Sequence, residues 1–505
     1  MTTATVNATR ITHLVGHHSW EGQAQRTSEV FNPATGAVTG VLDLASKAVV
    51  DEIVAGAAGA AKEWGQTSIA RRTKVLFAFR ELLEARKGEI ARTIVAEHGK
   101  TYADAVGEIN RGLEVVEFAC GVGTIMKGGF NENVSTQVDA YSILQPLGVV
   151  GVISPFNFPA MVPLWFVPVA IATGNAVVIK PSEKDPTAVN EIADLWREAG
   201  LPDGVMNVVH GDKEAVDALL DNPQVKSISF VGSTPIAQYV FERGTKAGKR
   251  VQALGGAKNH MLVLPDADLD LAADAAVNAG FGAAGERCMA ISALLAVDSI
   301  ADELVAKIRE RMATLTTGEG NVDGVDMGPL VTKAHLDKVT RYVEAGEKEG
   351  AELVVDGRDG EWEGGTKDGF FLLPTLFDKV GTDMSIYTDE IFGPVLSVVR
   401  IHSYDEGLQL INDNPFGNGT TIFTNDGGAA RRFQNEVQVG MVGINVPIPT
   451  PMAYYSFGGW KNSLFGDTHA HGMEGVHFFT KTKAVTARWL DPSHGGLNLG
   501  FPQNV

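Results

Sequence analysis

Strand-length apolar runs separated by helix-length segments limit this chain to a narrow set of folds. From Ile143 onward, short β-branched runs recur at Val149–Ile153, Ala176–Ile179, Val205–Val209 and Ser227–Val231. The segments between them, 187–199, 213–220 and 234–244, read as helices. Parallel strands cannot be joined by a tight turn and need a crossover, usually a helix, so this spacing predicts parallel βαβ units. A second alternating set runs from His260 to the region near Ile444, which predicts one α/β body before roughly residue 255 and another after it. Ahead of both, residues 44–125 carry an apolar period near 3.6 and read as mostly helical. A chain of 505 residues is too long for one ordinary core, so two or three domains are expected.

Two segments stand outside this pattern. Ser135–Leu144 and Lys483–Leu490 alternate polar and apolar residues. An isolated strand pair is marginal in water, so they are expected to pair with each other and with another subunit; two surface loops are the alternative. There is no internal repeat and no low-complexity linker.

The formal net charge of -19 repels nucleic acid phosphates and anionic lipid heads, which argues against both as partners. It does not exclude acidic substrates, because a few arginines in a pocket outweigh a distant surface field. Two cysteines, Cys120 and Cys288, do not make a disulfide framework. Met1–Arg10 lacks the apolar core of a signal peptide, and the longest apolar stretch, Ala160–Ala172, is short for a bilayer and holds Pro163 and Pro168. The expectation is a soluble cytoplasmic protein.

Five short segments can carry chemistry. Gly285-Glu286-Arg287-Cys288-Met289-Ala290 sets a cysteine on a loop before the apolar run Leu294–Val297. A thiol there is a ready nucleophile for a carbonyl, although a lone cysteine equally fits a small buried hydrophobe. Ser154-Pro155-Phe156-Asn157-Phe158-Pro159 follows a strand, and its prolines hold the backbone on either side of Asn157. That amide could serve an oxyanion hole or simply bond its own turn. Lys180-Pro181-Ser182-Glu183 ends the next strand, where ligands of open parallel sheets sit; its donor and acceptor suit ribose hydroxyls or a solvated loop. Gly232-Ser233-Thr234 joins a strand to a helix start, where free N–H groups attract phosphate or simply take a cap. Asp389-Glu390-Ile391-Phe392-Gly393-Pro394 sets an acid two residues from an aromatic, for a ribose and a planar ring or for one buried phenylalanine.

Singly none of the five is decisive, but in this order and spacing the sequence resembles the aldehyde dehydrogenase superfamily along essentially its whole length. The resemblance implies Cys288 as nucleophile and Asn157 as oxyanion donor. It implies NAD held by Ser154, Phe156, Lys180, Glu183, Lys184, Gly232, Ser233, Gly255, Glu390 and Phe392, with Lys180 and Glu183 at the adenosine ribose and Glu390 and Phe392 at the nicotinamide end. The implied fold is α/β: a Rossmann-like NAD-binding domain (1–130 and 147–255), a catalytic α/β domain (256–450) and a small β-strand oligomerisation arm (131–146 and 480–505). No metal is implied.

Two departures narrow the resemblance. Hydrolytic members carry Glu-Leu-Gly-Gly-Lys, whose glutamate activates water; here the stretch is Ala253-Leu254-Gly255-Gly256-Ala257-Lys258. Alanine accepts no proton, so water attack on a thioester loses a general base contributing about 10²–10⁴-fold, and a thiol acceptor gains the advantage. Arg287 precedes the nucleophile; a fixed cation there would lower the thiol pKa and suit a substrate carboxylate. With Gly256–His260, Gly285–Ala290 and Thr486–Trp489, these features resemble the CoA-acylating methylmalonate-semialdehyde dehydrogenases. That resemblance assigns Arg111 and Arg287 to the substrate carboxylate. It implies oxidation of a (methyl)malonate semialdehyde with decarboxylation and transfer to coenzyme A as cosubstrate, giving propionyl-CoA or acetyl-CoA, in a homotetramer or homodimer. Glu183 would repel a 2′-phosphate, favouring NAD over NADP, with Lys184 able to soften that preference. The alternative is a hydrolytic semialdehyde dehydrogenase using Glu286, Glu390 or a water network as base.

Overall fold

The computed structural model describes residues 8–489, so the expectations for Met1–Asn7 and for the arm beyond Trp489 lie outside the described residues. Val149–Ile153 and Ala176–Lys180 are buried at every position, as runs without polar alternation must be when both sheet faces are covered. They lie in an eight-stranded sheet whose order is Leu464–Phe465, Arg250–Leu254, Val225–Val231, Val149–Ile153, Ala176–Lys180, Met206–Val208, Leu14–Val15, His18–Ser19. The five strands from Arg250–Leu254 to Met206–Val208 are parallel; the flanking strands are antiparallel. The chain winds outward from Val149–Ile153 in one direction and then in the other. The carboxyl end of that strand is therefore the switch point, where open sheets leave a crevice for ligands.

One face of this sheet is covered by Lys47–Gln66, Lys213–Asp221 and Thr234–Lys246. The other is covered by Ile69–His98, Tyr102–Cys120, Met161–Ala172 and Thr187–Glu198. Gly99, at φ 94°, ends the first of these, and Thr101 caps the next by accepting from the Asp104 amide. Met161–Ala172 is buried on every side, which explains an apolar stretch too short for a bilayer. Among the described residues no helix is long and apolar enough to cross a membrane.

A second, seven-stranded sheet has the order Glu352–Val355, Thr375–Asp378, Val395–Ile401, Ile291–Val297, Asn259–Val263, Gly419–Phe423, Met441–Ile444, parallel except at its first pair. Its core is separate from that of the first sheet. The chain crosses from one sheet to the other between Leu254 and Asn259. After Ile444 it returns: Leu464–Phe465 extends the first sheet, and Gly472–Phe478 packs on Met161–Ala172. The alternation of apolar residues carries no sign of this return.

A three-stranded antiparallel sheet stands apart, in the order Thr480–Arg488, Val138–Pro146, Phe130–Ser135. Its first segment is a hairpin turning at Thr136 and Gln137, with Gln137 at φ 58°. No Gly or Asn marks that turn, so the sequence reads as one strand where there are two.

Candidate active site

Cys288 is half-buried on the loop between helix Leu269–Phe281 and strand Ile291–Val297. The loop is held out of regular geometry: Ala283 and Ala284, neither a glycine, sit at φ 49° and 53°. Such left-handed residues cost about 1–2 kcal/mol each and persist only where the surroundings impose them. Here Gly285 packs so closely on the Gly393 carbonyl that a Cβ would come within 2.2 Å of it. The Asn259 and Asn418 amides both donate to the Cys288 carbonyl, at 2.9 and 3.0 Å. These contacts place the sulfur between two cavities.

The larger cavity, about 750 Å³, lies at the switch point of the first sheet. Ser154, Phe156, Asn157, Lys180, Glu183, Lys184, Gly232, Ser233, Gly255, Glu390, Phe392 and Cys288 all line it. Lys180 is buried, donating to the Gly211 carbonyl at 3.0 Å with Glu183 at 3.5 Å. Ser233 precedes helix Thr234–Lys246 and makes no side-chain cap bond. The set of free helix-start N–H groups is smaller than the sequence implied, because Pro235 has none and the amides of Ile236 and Ala237 donate to the Ser233 carbonyl at 3.0 and 2.9 Å. The Ser154 hydroxyl is buried and has no hydrogen-bond partner among the described residues. Lys184 holds its ammonium 4.2 Å from the centre of the Phe156 ring. Glu390 accepts from the Ala257 amide at 2.8 Å, and a Cβ on Gly256 would meet its carboxylate at 2.3 Å. Burial raises the Glu390 carboxyl above its ordinary value. An extended cleft with a helix N-terminus, a Lys–Glu pair and an aromatic floor fits a dinucleotide.

The smaller cavity, about 380 Å³, opens on the other side of Cys288. Phe158, Met161, Trp165, Ile448 and Phe457 make it apolar, and Arg111 and Arg287 both reach it. Arg111 bonds Glu114 at 2.9 Å and the Pro451 carbonyl at 2.9 Å; Arg287 bonds Asp104 at 2.5 Å.

Arg287 pulls the Cys288 thiol pKa down as the sequence implied, but other effects outweigh it. Burial first, and Glu390 second, push the thiol up to about 12. The expected depression of the thiol pKa is therefore corrected: the loss of solvent outweighs the adjacent guanidinium. Asn157 is buried, and its side-chain amide donates to the Glu286 carbonyl at 2.9 Å. Ala253 is fully buried in its strand and lines neither cavity.

The aldehyde dehydrogenase family model matches residues 20–485. A malonate-semialdehyde dehydrogenase of Pseudomonas aeruginosa is 54% identical over 492 residues, covering 96% of this chain and 99% of that one. The chain belongs to the aldehyde dehydrogenase family. Among solved members, a protein of Sinorhizobium meliloti named as a methylmalonate-semialdehyde dehydrogenase and complexed with NAD superposes with a TM-score of 0.94 at 48% identity, covering 96% of this chain and 99% of that one. The methylmalonate-semialdehyde dehydrogenase of Oceanimonas doudoroffii gives 0.94 at 51% identity with the same coverage.

This aldehyde dehydrogenase also has site residues that no motif announced. Lys100 and Glu108 form an ion pair at 2.6 Å with no solvent exposure. Lys100 also donates to the Asn157 carbonyl at 2.7 Å, and Glu108 accepts from the amides of Ala160 and Met161 at 2.8 and 3.0 Å. The pair therefore clamps the backbone on both sides of Phe158. Glu108 lies four residues from Asp104 and three from Arg111 on one helix, a spacing that puts all three on one face. The Glu286 carboxyl is buried between His98 and His335, accepts from the Val331 amide, and is pushed up to about 8 by burial. Lys100 and Glu108 are near in sequence, but the backbone groups they hold and the partners of Glu286 come from distant parts of the chain, so spacing alone could not reveal them.

Proposed function

We propose that this aldehyde dehydrogenase oxidises malonate semialdehyde or its methyl homologue on Cys288 with NAD and transfers the acyl group to coenzyme A. One observation carries the reading: the sulfur lies at the meeting point of a dinucleotide-shaped cleft and an apolar cavity with two guanidiniums, with no carboxylate at position 253. The relatives named for these two semialdehydes support it.

In this reading Arg111 and Arg287 take the substrate carboxylate and aim its aldehyde at Cys288. The thiolate adds to the aldehyde carbon, and the Cys288 backbone N–H and the second Asn157 amide hydrogen, free of the Glu286 bond, receive the developing oxyanion. Ser154, Phe156, Lys180, Glu183, Lys184, Gly232, Ser233, Gly255, Glu390 and Phe392 hold the dinucleotide, and Glu183 disfavours a 2′-phosphate. When bound there, NAD supplies the hydride acceptor and a cationic ring that favours the thiolate. Cys288 then holds a thioester with a carboxylate β to its carbonyl. The bond to that carboxylate breaks, its electron pair passes into the thioester carbonyl, CO2 leaves, and water protonates the carbon. A coenzyme A thiolate displaces Cys288. Water is a poor competitor in this reading, because Ala253 accepts no proton, the Glu286 carboxyl lines neither cavity, and Glu390, which lines the cleft, is taken up by the Ala257 amide and the dinucleotide. We further infer a homo-oligomer joined through the arm sheet, on whose surface Phe130, Tyr141 and Ile143 are exposed.

NADH formation from 3-oxopropanoate, followed with and without coenzyme A, tests the acceptor. Sustained turnover should require the thiol, with acetyl-CoA identified by mass. Equal sustained turnover with no thiol present rejects the acylating reading.

A further inference from the structure

We propose that Asp104 sets the preference for carboxylated aldehydes by holding Arg287 in an ion pair that the incoming substrate carboxylate must displace. The inference rests on the assignment of Arg287 to that carboxylate and deepens it.

Asp104 stands in the first turn of helix Tyr102–Cys120, where its backbone amide is tied to the Thr101 hydroxyl at 3.2 Å. Its position is thus set by the cap, while its carboxylate leans across to a loop 183 residues away and meets Arg287 at 2.5 Å. Among the described residues Asp104 is the only hydrogen-bond partner of the Arg287 guanidinium. The guanidinium also lies against Gly282, where a Cβ would come within 2.4 Å of it. It is therefore seated by a flat backbone surface and one carboxylate, with most of its five donors left over.

Three ion pairs occur along this helix face, and they differ in how readily they exchange. Lys100–Glu108 has no solvent exposure and is anchored to the Asn157 carbonyl and two backbone amides, so it cannot give way to a ligand. Arg111 divides itself between Glu114 and the carbonyls of Thr450 and Pro451, so losing one partner leaves others. Arg287–Asp104 keeps 21% and 23% side-chain exposure, and both residues line the apolar cavity. A partly solvated pair with a single contact is weak enough to be displaced. A substrate carboxylate that forks onto Arg287 brings a second negative charge beside Asp104, and the two anions compete for one cation. A neutral aldehyde such as propanal forces no such exchange. Asp104 therefore keeps the empty cavity free of an unpaired cation and weakens the binding of every carboxylated substrate.

Asp104→Asn removes the charge but leaves an oxygen that can accept from Arg287. The measurement is the ratio of KM for propanal to KM for 3-oxopropanoate, with NAD and coenzyme A saturating. Asp104→Asn should raise that ratio roughly two- to fivefold, the range of a partly exposed ion pair. Arg287→Leu should lower it, and the double variant should match Arg287→Leu alone, since Asp104 acts only through that guanidinium. An unchanged or lowered ratio in Asp104→Asn, with Arg287→Leu behaving as expected, overturns the role of Asp104 and leaves the assignment of Arg287 standing. An unchanged ratio in Arg287→Leu overturns both. A shift caused by Asp104→Asn that persists in the Arg287→Leu background is a general field effect and also overturns the proposal.

Discussion

At the scale of single residues, burial decides the chemistry more than adjacency does. Cys288 has a cation next to it in sequence, yet its thiol is pushed up to about 12, because burial outweighs Arg287. Alkylation of Cys288 in the cofactor-free protein should therefore climb steadily from pH 7 to 10 with no plateau, and added NAD should move the curve to lower pH. A plateau near neutrality without NAD would show that the sulfur is better solvated than this structure allows. Glu286 gives a stability effect of definite sign. Its carboxyl titrates near 8 in the folded chain against an ordinary 4.5, so between those values the folded state keeps a proton the unfolded state has lost. Its contribution to stability falls as pH rises through that window. Glu286→Gln keeps an acceptor for the Val331 amide and removes the titration, so thermal melts should show a smaller loss of Tm between pH 5 and 8.5 than the parent.

At the scale of elements, the site is made by how loops are pinned. The nucleophile loop carries two left-handed alanines, Ala283 and Ala284, separated from Cys288 by Gly285, Glu286 and Arg287. Ala284→Gly removes about 1–2 kcal/mol of backbone strain and should raise Tm, while kcat falls as the loop loses its set position. A rise in both would mean the strain has no part in positioning the sulfur. The helix face bearing Asp104, Glu108 and Arg111, with Lys100 just ahead of its cap, acts in the same way from the other side. Lys100→Met leaves Glu108 buried and unpaired, a loss of about 3–5 kcal/mol. Denaturant unfolding should register that loss. The double variant Lys100→Met/Glu108→Leu should recover most of the stability yet retain a reduced kcat with little change in aldehyde KM, because the Asn157 carbonyl is still unheld.

At the scale of the whole molecule, two sheets with separate cores meet at Cys288, and the chain after Ile444 ties them together by returning to the first sheet. The arm leaves both bodies as a thin antiparallel sheet with apolar side chains in solvent, a form marginal on its own. Val485→Pro breaks the ladder opposite Tyr141. Light scattering should show a fall in oligomer mass, with the family fold retained by circular dichroism; an unchanged mass would place the subunit contact elsewhere.

Much of this was legible in the residues themselves. A fully buried strand such as Val149–Ile153 must be apolar at every position, so the parallel sheets show directly in the sequence. The ligand loops show as well, because they follow strand ends at fixed offsets: Ser154–Phe158, Lys180–Glu183, Gly232–Ser233 and Cys288. Tertiary structure alone decided which charges meet. Arg287 finds Asp104 across 183 positions, Lys100 finds the Asn157 carbonyl across 57, and Glu286 sits between His98 and His335. The thiol pKa belongs to the same class. An adjacent arginine is visible in a sequence, whereas the loss of water around a sulfur depends on every element packed over it, and that loss carries the larger energy.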